Sequence, residues 1–450
     1  MTAPGPPSFC HEPGEIAALL RAEGLAGPGP DAGAGQHALP ASPFVLPRRS
    51  YDELFGISRL VLALLRRAAL ARGTTWPARL AALGARAADH PLLSGMDNTE
   101  TSYCAMMARP DIVLSADGPK LLDFHVGGAF RGAVEAEGLT RVWRRVHTPE
   151  GGGGEPPFTG HDPLAVRAAA FAEVCARRRL PRAVAVIGRA ADLGPDGAER
   201  EVAGFRAHGF TADFFEPGAL PEALGRPARL RYPLGLCRFS PTAWAREGLA
   251  TAPVRDAQHA GLLLLPPQSS GLLADRRVLA LVSEGLPWMT RGERELMERW
   301  LPWTRLTLAG RTTWRGRERE LPEAVLQERE AFVLKGAVPG TDGVLVGRDT
   351  EEARWHEAVG DAFRRGDGVV QEYVEPLGSE LELTDGDAVW TARVTAVFGP
   401  MLFAGRPGGC WARWTVSAPT GRTPAGTGGQ NVVLAWVREP SGRPVGAQRS

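Results

Sequence analysis

Across residues 51–72 the apolar side chains Leu54, Ile57, Leu60, Val61, Leu64 and Leu65 recur at spacings of three and four, with Asp52 and Glu53 ahead of them and Arg66, Arg67 and Arg72 behind. That period is one helical turn, and acids first with bases last suits the helix dipole, so the stretch predicts an amphipathic helix. Residues 111–115 and 120–126 are short apolar runs parted by Ala116-Asp117-Gly118-Pro119, which predicts a hairpin, and 133–146 returns to helical spacing. The glycine run 151–154, with Pro156 and Pro157 after it, reads as a linker. Helical patterns over 163–179 and 198–208 then alternate with apolar runs at 183–187, 211–215 and 262–265, which predicts βαβ units and a partly parallel sheet. The remainder predicts helices over 275–283 and 292–300, a strand ending at Lys335, and a helix over 350–363 with Thr350 as N-cap. A strand over 368–374 and antiparallel strands toward residue 436 follow. The first fifty residues are rich in Pro, Gly and Ala and carry one short helical candidate near 15–25, so parts of them are expected to be mobile. The expected division is a partly mobile, helical N-terminal segment (1–84), a hairpin-bearing region (85–148), an α/β domain (160–268) and a C-terminal region (270–440).

A chain of 450 residues exceeds the length at which single cores stop growing, in keeping with several domains. Its net charge of +1 supplies no field to attract nucleic acid or an anionic membrane. Five scattered cysteines show no metal or redox spacing and fit a reducing compartment. No stretch approaches the ~20 apolar residues a membrane span needs, and the first residues lack a charged start with an apolar core. A soluble, cytoplasmic protein is the expectation. Motifs of zinc and serine hydrolases are absent from the sequence.

Only two of the 52 basic residues are lysines, Lys120 and Lys335. Arginine serves as well as lysine on a surface, but a compact ammonium on a slim stem is not replaceable where it must reach between phosphate oxygens. Lys335 ends the apolar run Phe332-Val333-Leu334 and precedes a loop containing Gly340 and Gly343, whose missing side chains would let backbone amides approach phosphate. Arg109-Pro110-Asp111 precedes Asp123-Phe124-His125 on the second strand of the hairpin. Residues two apart on a strand share a face, so Asp123 and His125 project together while pairing can bring Asp111 and Arg109 alongside. Two carboxylates beside a cation can hold Mg²⁺ bridging nucleotide phosphates. Gln371-Glu372-Tyr373-Val374 ends another apolar run and could receive an adenine edge. Each pattern taken singly also fits a plain structural role: a solvated hairpin face, a glycine loop, a strand leaving the core.

Taken in order, these motifs resemble the circularly permuted ATP-grasp proteins, relatives of glutathionylspermidine synthase. The resemblance rests on Arg109-Pro110-Asp111, Lys120-Leu121-Leu122-Asp123-Phe124-His125, Leu301-Pro302-Trp303-Thr304-Arg305, Val333-Leu334-Lys335, Gln371-Glu372-Tyr373-Val374, and the late Arg413 and Asn431. The acidic motif stands roughly two hundred residues ahead of the lysine strand, the order that marks the permutation. The resemblance implies an α/β (α+β) ATP-grasp fold with an added βαβ-type domain. Asp111, Asp123 and His125 would then hold Mg²⁺, or Mn²⁺ given an imidazole in the set. Lys335, Arg276, Gly340, Gly343, Gln371, Glu372, Tyr373, Val374 and Asn431 would bind ATP, with Arg109 and Arg413 as catalytic cations. The implied activity is ATP-dependent ligation of a small-molecule carboxylate to an amine through an acyl phosphate. Asp at 123, His at 125 and Arg at 276 depart from the family pattern and support an alternative, a degenerate ATP-grasp protein that binds nucleotide or a partner without turnover. As pocket residues, Asp123 and Lys335 are expected to be replaceable without a change in melting.

Overall fold

The computed structural model of the chain describes residues 12–25, 38–93, 97–148, 155–194, 196–220, 224, 230–339, 343–417 and 425–437. The linker 151–154 lies outside them, as do most of the first 37 residues. Within the latter the helix Pro13–Ala22 is described, starting two residues before the predicted one.

The described residues form a mixed α/β protein built on three main sheets. The largest has nine strands, drawn from segments far apart in sequence. Its path runs from Leu39–Pro40 through Gly378–Thr384, Val389–Phe403, Arg406–Val416 and Gly428–Trp436 to Phe44–Leu46. The hairpin Met107–Ser115 and Gly118–Val126 branches from it by pairing with the long strand Val389–Phe403, and Phe158–Thr159 adds to Gly428–Trp436. The C-terminal strands therefore form one sheet with the hairpin. The helix Arg48–Leu70 lays Tyr51, Leu54, Ile57, Val61 and Leu65 into a core that also holds Phe124, Phe398 and Ala412. Helices Ala133–His147 and Pro163–Arg178 share a second core with Trp411, Val432 and Leu434. A sheet buried on both faces follows from this, and nearly every residue of Gly428–Trp436 after Gln430 is apolar and buried.

The second sheet is fully parallel, in the order Thr211–Phe215, Ala183–Ile187, Leu234–Cys237, Leu263–Leu265. Ala183–Ile187 is buried along its whole length, the continuous apolar run that central parallel strands need. The third sheet is antiparallel, in the order Thr304–Leu306, Gly368–Glu372, Phe332–Gly336, Val344–Val346. Its helix, Glu352–Arg365, begins after the predicted start: Glu351 stands at the N-cap, and the Thr350 hydroxyl donates to Val346 O instead of capping. Strand 368–374 is shorter than predicted, ending at Glu372. Among the described residues no helix is long and apolar enough to cross a membrane, and Cys104, Cys175, Cys237 and Cys410 are buried and free.

Candidate functional site

In the hairpin Arg109 pairs with His125 and Asp111 with Asp123, after which the register slips so that Ile112 faces Leu121. Leu122 is the extra residue of that bulge, and bulges re-aim nearby groups. Its carbonyl accepts a hydrogen bond from Lys335 Nζ at 2.9 Å. Residues 122 and 335, parts of different sheets, thus meet at one point.

Around that point lies a connected ionic cluster. Asp111 accepts from Arg109 Nη2 (3.1 Å, Oδ1) and from Arg413 Nη2 (2.9 Å, Oδ2), and its Oδ2 stands 3.1 Å from His125 Nε2. Asp123 Oδ2 accepts from Arg276 Nε and Nη2 at 3.0 and 2.6 Å, while Oδ1 accepts from the Phe124 N–H at 2.9 Å. The third Arg276 nitrogen donates to Gly336 O at 2.9 Å. Lys335 Nζ also donates to Gln371 Oε1 at 2.7 Å; Gln371 Nε2 donates to Thr304 Oγ1, which donates to Pro302 O. Arg109 reaches past Gly399, where a Cβ would come within 2.8 Å of Arg109 Cδ, so a glycine is needed for its path. It then donates to Arg131 O at 2.8 Å beside the Trp411 ring.

Arg109, Asp111, Asp123, Arg276 and Lys335 are each at least nine-tenths buried. Burial opposes ionisation of both aspartates, yet Arg109, His125 and Arg413 hold Asp111 far below the usual carboxylate range, and Arg276 with Lys335 holds Asp123 down. Burial pulls Lys335 down to about 8; Asp123 and Asp111 resist that fall and Arg276 adds to it. Among the described residues Arg109, Arg276, Arg413 and Lys335 face the carboxylates of Asp111 and Asp123, so cations outnumber the carboxylates they share. The cluster borders a cleft of ≈ 1070 Å³ whose lining includes Arg109, His125, Arg413 and Trp411 on one side and Ala337–Pro339 on the other. The lining also includes Ser240, Arg246, Gln268 and Arg277, but not Asp111, Asp123, Arg276 or Lys335.

The donor set does not fit Mg²⁺ or Mn²⁺. A hard cation takes several free oxygens in a shell of about six. Here each of the four carboxylate oxygens already accepts or faces a donor, and the His125 nitrogen nearest Asp111 is engaged with it. Among the described residues no three metal-capable side chains form a group. A unit charge ~4 Å from another is repelled by about 4 kcal/mol at an effective dielectric of ~20, and a doubly charged ion near Arg276 would meet roughly twice that. Of the expected metal trio, Asp111 holds Arg109 and Arg413, Asp123 holds Arg276, and His125 faces Asp111.

The other sequence candidates divide. Gln371 points at Lys335 rather than into an adenine slot. Glu372 pairs with Arg315 at 3.2 Å, its N–H donates to Trp303 O, the Tyr373 N–H donates to Ala331 O, and the Tyr373 ring lies under Arg348. None of these, nor Val374, lines the cleft. Gly343 accepts from the Gly336 N–H, and a Cβ there would meet nothing, so crowding does not demand glycine. Gly340 lies outside the described residues. Asn431 pairs with Ala412, next to Arg413, and strand alternation turns it to the other face. Its amide is spent on Ser42 O, Trp143 Nε1 and the Val432 N–H. Lys120 donates to Arg299 O at the surface. The Leu122 carbonyl and Arg131 were not found by sequence reasoning: a bulge depends on register, and a backbone acceptor has no residue signature.

No family model matches the chain, and no curated protein matches it. Among solved structures, the apo form of a glutathione synthetase-like effector (GSS30) from Globodera pallida is similar over 93% of this chain and 95% of that one, with TM-score 0.58 and 11% identity. At that identity the likeness is one of fold. A putative gamma-glutamylcysteine synthetase from Methylobacillus flagellatus KT matches over 88% of both chains at 11% identity, but its TM-score of 0.39 adds no weight.

Proposed function

We propose that the chain is a circularly permuted ATP-grasp protein acting as an ATP-dependent carboxylate–amine ligase on a small molecule. One observation carries the reading: Lys335, on the small antiparallel sheet, reaches the bulged carbonyl of Leu122 in the acidic hairpin of the large sheet, at 2.9 Å, beside a cleft large enough for a nucleotide. The fold likeness to a glutathione synthetase-like protein supports it.

ATP would supply the activated phosphoryl group that turns a carboxylate into an acyl phosphate. The chain's share is positioning and charge. Lys335, steered by Gln371, would hold phosphate oxygens. Arg109 and Arg413, fixed by Asp111 at the cleft, would orient the acceptor carboxylate and stabilise the oxyanion formed when the amine attacks, where one such donor is worth about 3–4 kcal/mol. The Arg276–Asp123 pair favours a second reading, nucleotide binding without turnover. Purified protein given ATP, mixed amino acids and small acids should release ADP and phosphate. Binding without release would favour the second reading, and no binding at all would end both.

The protonation of Lys335 gives a further expectation. Its ammonium is present below pH about 8 and lost above, so nucleotide affinity should be level below that value and fall by up to roughly tenfold per pH unit above it. Lys335→Met should lower affinity and abolish this pH step, as read by calorimetry. A wild-type profile that stays flat from roughly pH 7 to 9.5 would remove Lys335 from phosphate contact.

A further inference from the structure

We infer that Arg276 takes the place of a divalent cation, so that the cleft binds its polyphosphate, a nucleoside triphosphate on the reading above, without Mg²⁺ or Mn²⁺. The inference rests on that reading for the ligand class, and on the donor set for the rest. Arg276 is tied to both sheets at once: two nitrogens to Asp123, one to Gly336 O, and its backbone N–H to Ala337 O at 2.9 Å. It begins the helix Arg276–Glu284, where the dipole disfavours a cation, and Asp275 caps that helix while binding Arg277. A guanidinium kept at the wrong end of a helix is there for its partner, and its partner is the carboxylate a metal would need.

Asp111 is likewise spent on Arg109 and Arg413. A metal would have to displace Arg109 and Arg276, both more than nine-tenths buried, and the half-buried Arg413, from a cluster in which cations already outnumber carboxylates. An anion meets the opposite situation. Arg276 spends three of its five N–H donors on Asp123 and Gly336 O and does not itself line the cleft, and planar guanidinium groups suit phosphate oxygens. Arg109 and Arg413 present the same chemistry at the cleft wall. Arg276 neutralises Asp123 permanently, the service a bound metal would otherwise perform, and leaves Arg109 and Arg413 at the cleft wall to face the ligand.

The test is calorimetric titration of ATP into the full chain, in EDTA and in excess Mg²⁺ or Mn²⁺, with melting of each protein followed without ligand. The expected result is wild-type dissociation constants agreeing within about threefold. Arg276→Ala, which frees Asp123, should bind about tenfold more weakly in EDTA and regain affinity with metal. Wild-type binding that weakens tenfold or more on chelation overturns the inference and leaves the function proposed above standing. ATP binding under neither condition overturns both. Should Arg276→Ala melt far below wild type, the wild-type comparison alone decides.

Discussion

Replacing Glu201 by alanine is expected to destabilise the protein by about 3–5 kcal/mol, the loss seen when one member of a buried ion pair is removed. Glu201 is 1% exposed and sits between Arg167 Nη2 at 2.5 Å and Arg238 Nε at 3.0 Å. Neither contact has the alignment of a hydrogen bond, so charge holds the triad, and removing the carboxylate leaves two guanidinium groups buried against each other. The damage should reach the cleft. Arg238 also donates to Gly128 O and Phe130 O, fixing the turn that leaves the acidic hairpin. That turn is pressed against the parallel sheet so closely that a Cβ on Gly128 would overlap Cys237 O.

Acid should uncover the same triad. Burial opposes the charge on Glu201, but Arg167 and Arg238 hold its pKa below the ordinary 4.5. The unfolded chain therefore binds the proton first, so the stabilisation is complete above about pH 4.5 and fades as pH falls through the lower folded value. Urea unfolding of wild type and Glu201→Gln should differ widely near neutrality and converge in acid. A neutral-pH difference below about 1 kcal/mol would show that the triad is not a desolvated ionic unit.

Asp123→Asn is the second large effect, and here the structure reverses the expectation of an unchanged melting profile. Asparagine keeps an oxygen for the Phe124 N–H but removes the carboxylate that, among the described residues, pairs with the buried Arg276, so the change should cost about 3–5 kcal/mol even without ligand. Lys335 should respond in step. Its folded value of about 8 lies below the ordinary 10.5, so between these values the unfolded chain holds the extra proton and stability rises with pH. Asp123 supports the ammonium, so in the variant that rise should begin at lower pH. Unfolding curves over pH 6–10 measure both effects, and a variant as stable as wild type throughout would break the account of the cluster.

Much of this architecture was legible where a long period exists. The three-and-four spacing of Leu54 through Leu65 marked the helix Arg48–Leu70, and apolar runs around Asp117-Gly118 marked the hairpin. The strands Leu39–Pro40, Phe44–Leu46 and Phe158–Thr159 were not legible, because two or three residues cannot show a period and their partners are distant in sequence. Within the site, Asp111 and Asp123 could be placed together from alternation alone. That Arg276 would bind Asp123, 153 residues away, could not, since the pair depends on how two sheets meet. Gln371 shows an intermediate case. It pairs with Val333, two residues from Lys335, so both side chains share a face, but only a known register reveals it. The amide of Asn431 was misjudged for the same reason, its face being set by pairing with Ala412.

The composite nature of the nine-stranded sheet bears on biosynthesis. The hairpin ending at Val126 finds its neighbour only in the strand beginning at Val389, and Arg413 comes later still. While the ribosome is extending the chain, Met107–Ser115 has an open edge and Asp111 lacks one of its guanidinium partners, a state in which unpaired strands invite association with other chains. The strands of the parallel sheet between them can pair first, since all lie within residues 183–265, though Val184, Val186, Leu234 and Leu236 share a core with Trp411 and Val432. Truncation before Val389 should therefore leave the hairpin with an open edge, and binding competence should arrive only once the strand carrying Arg413 is made.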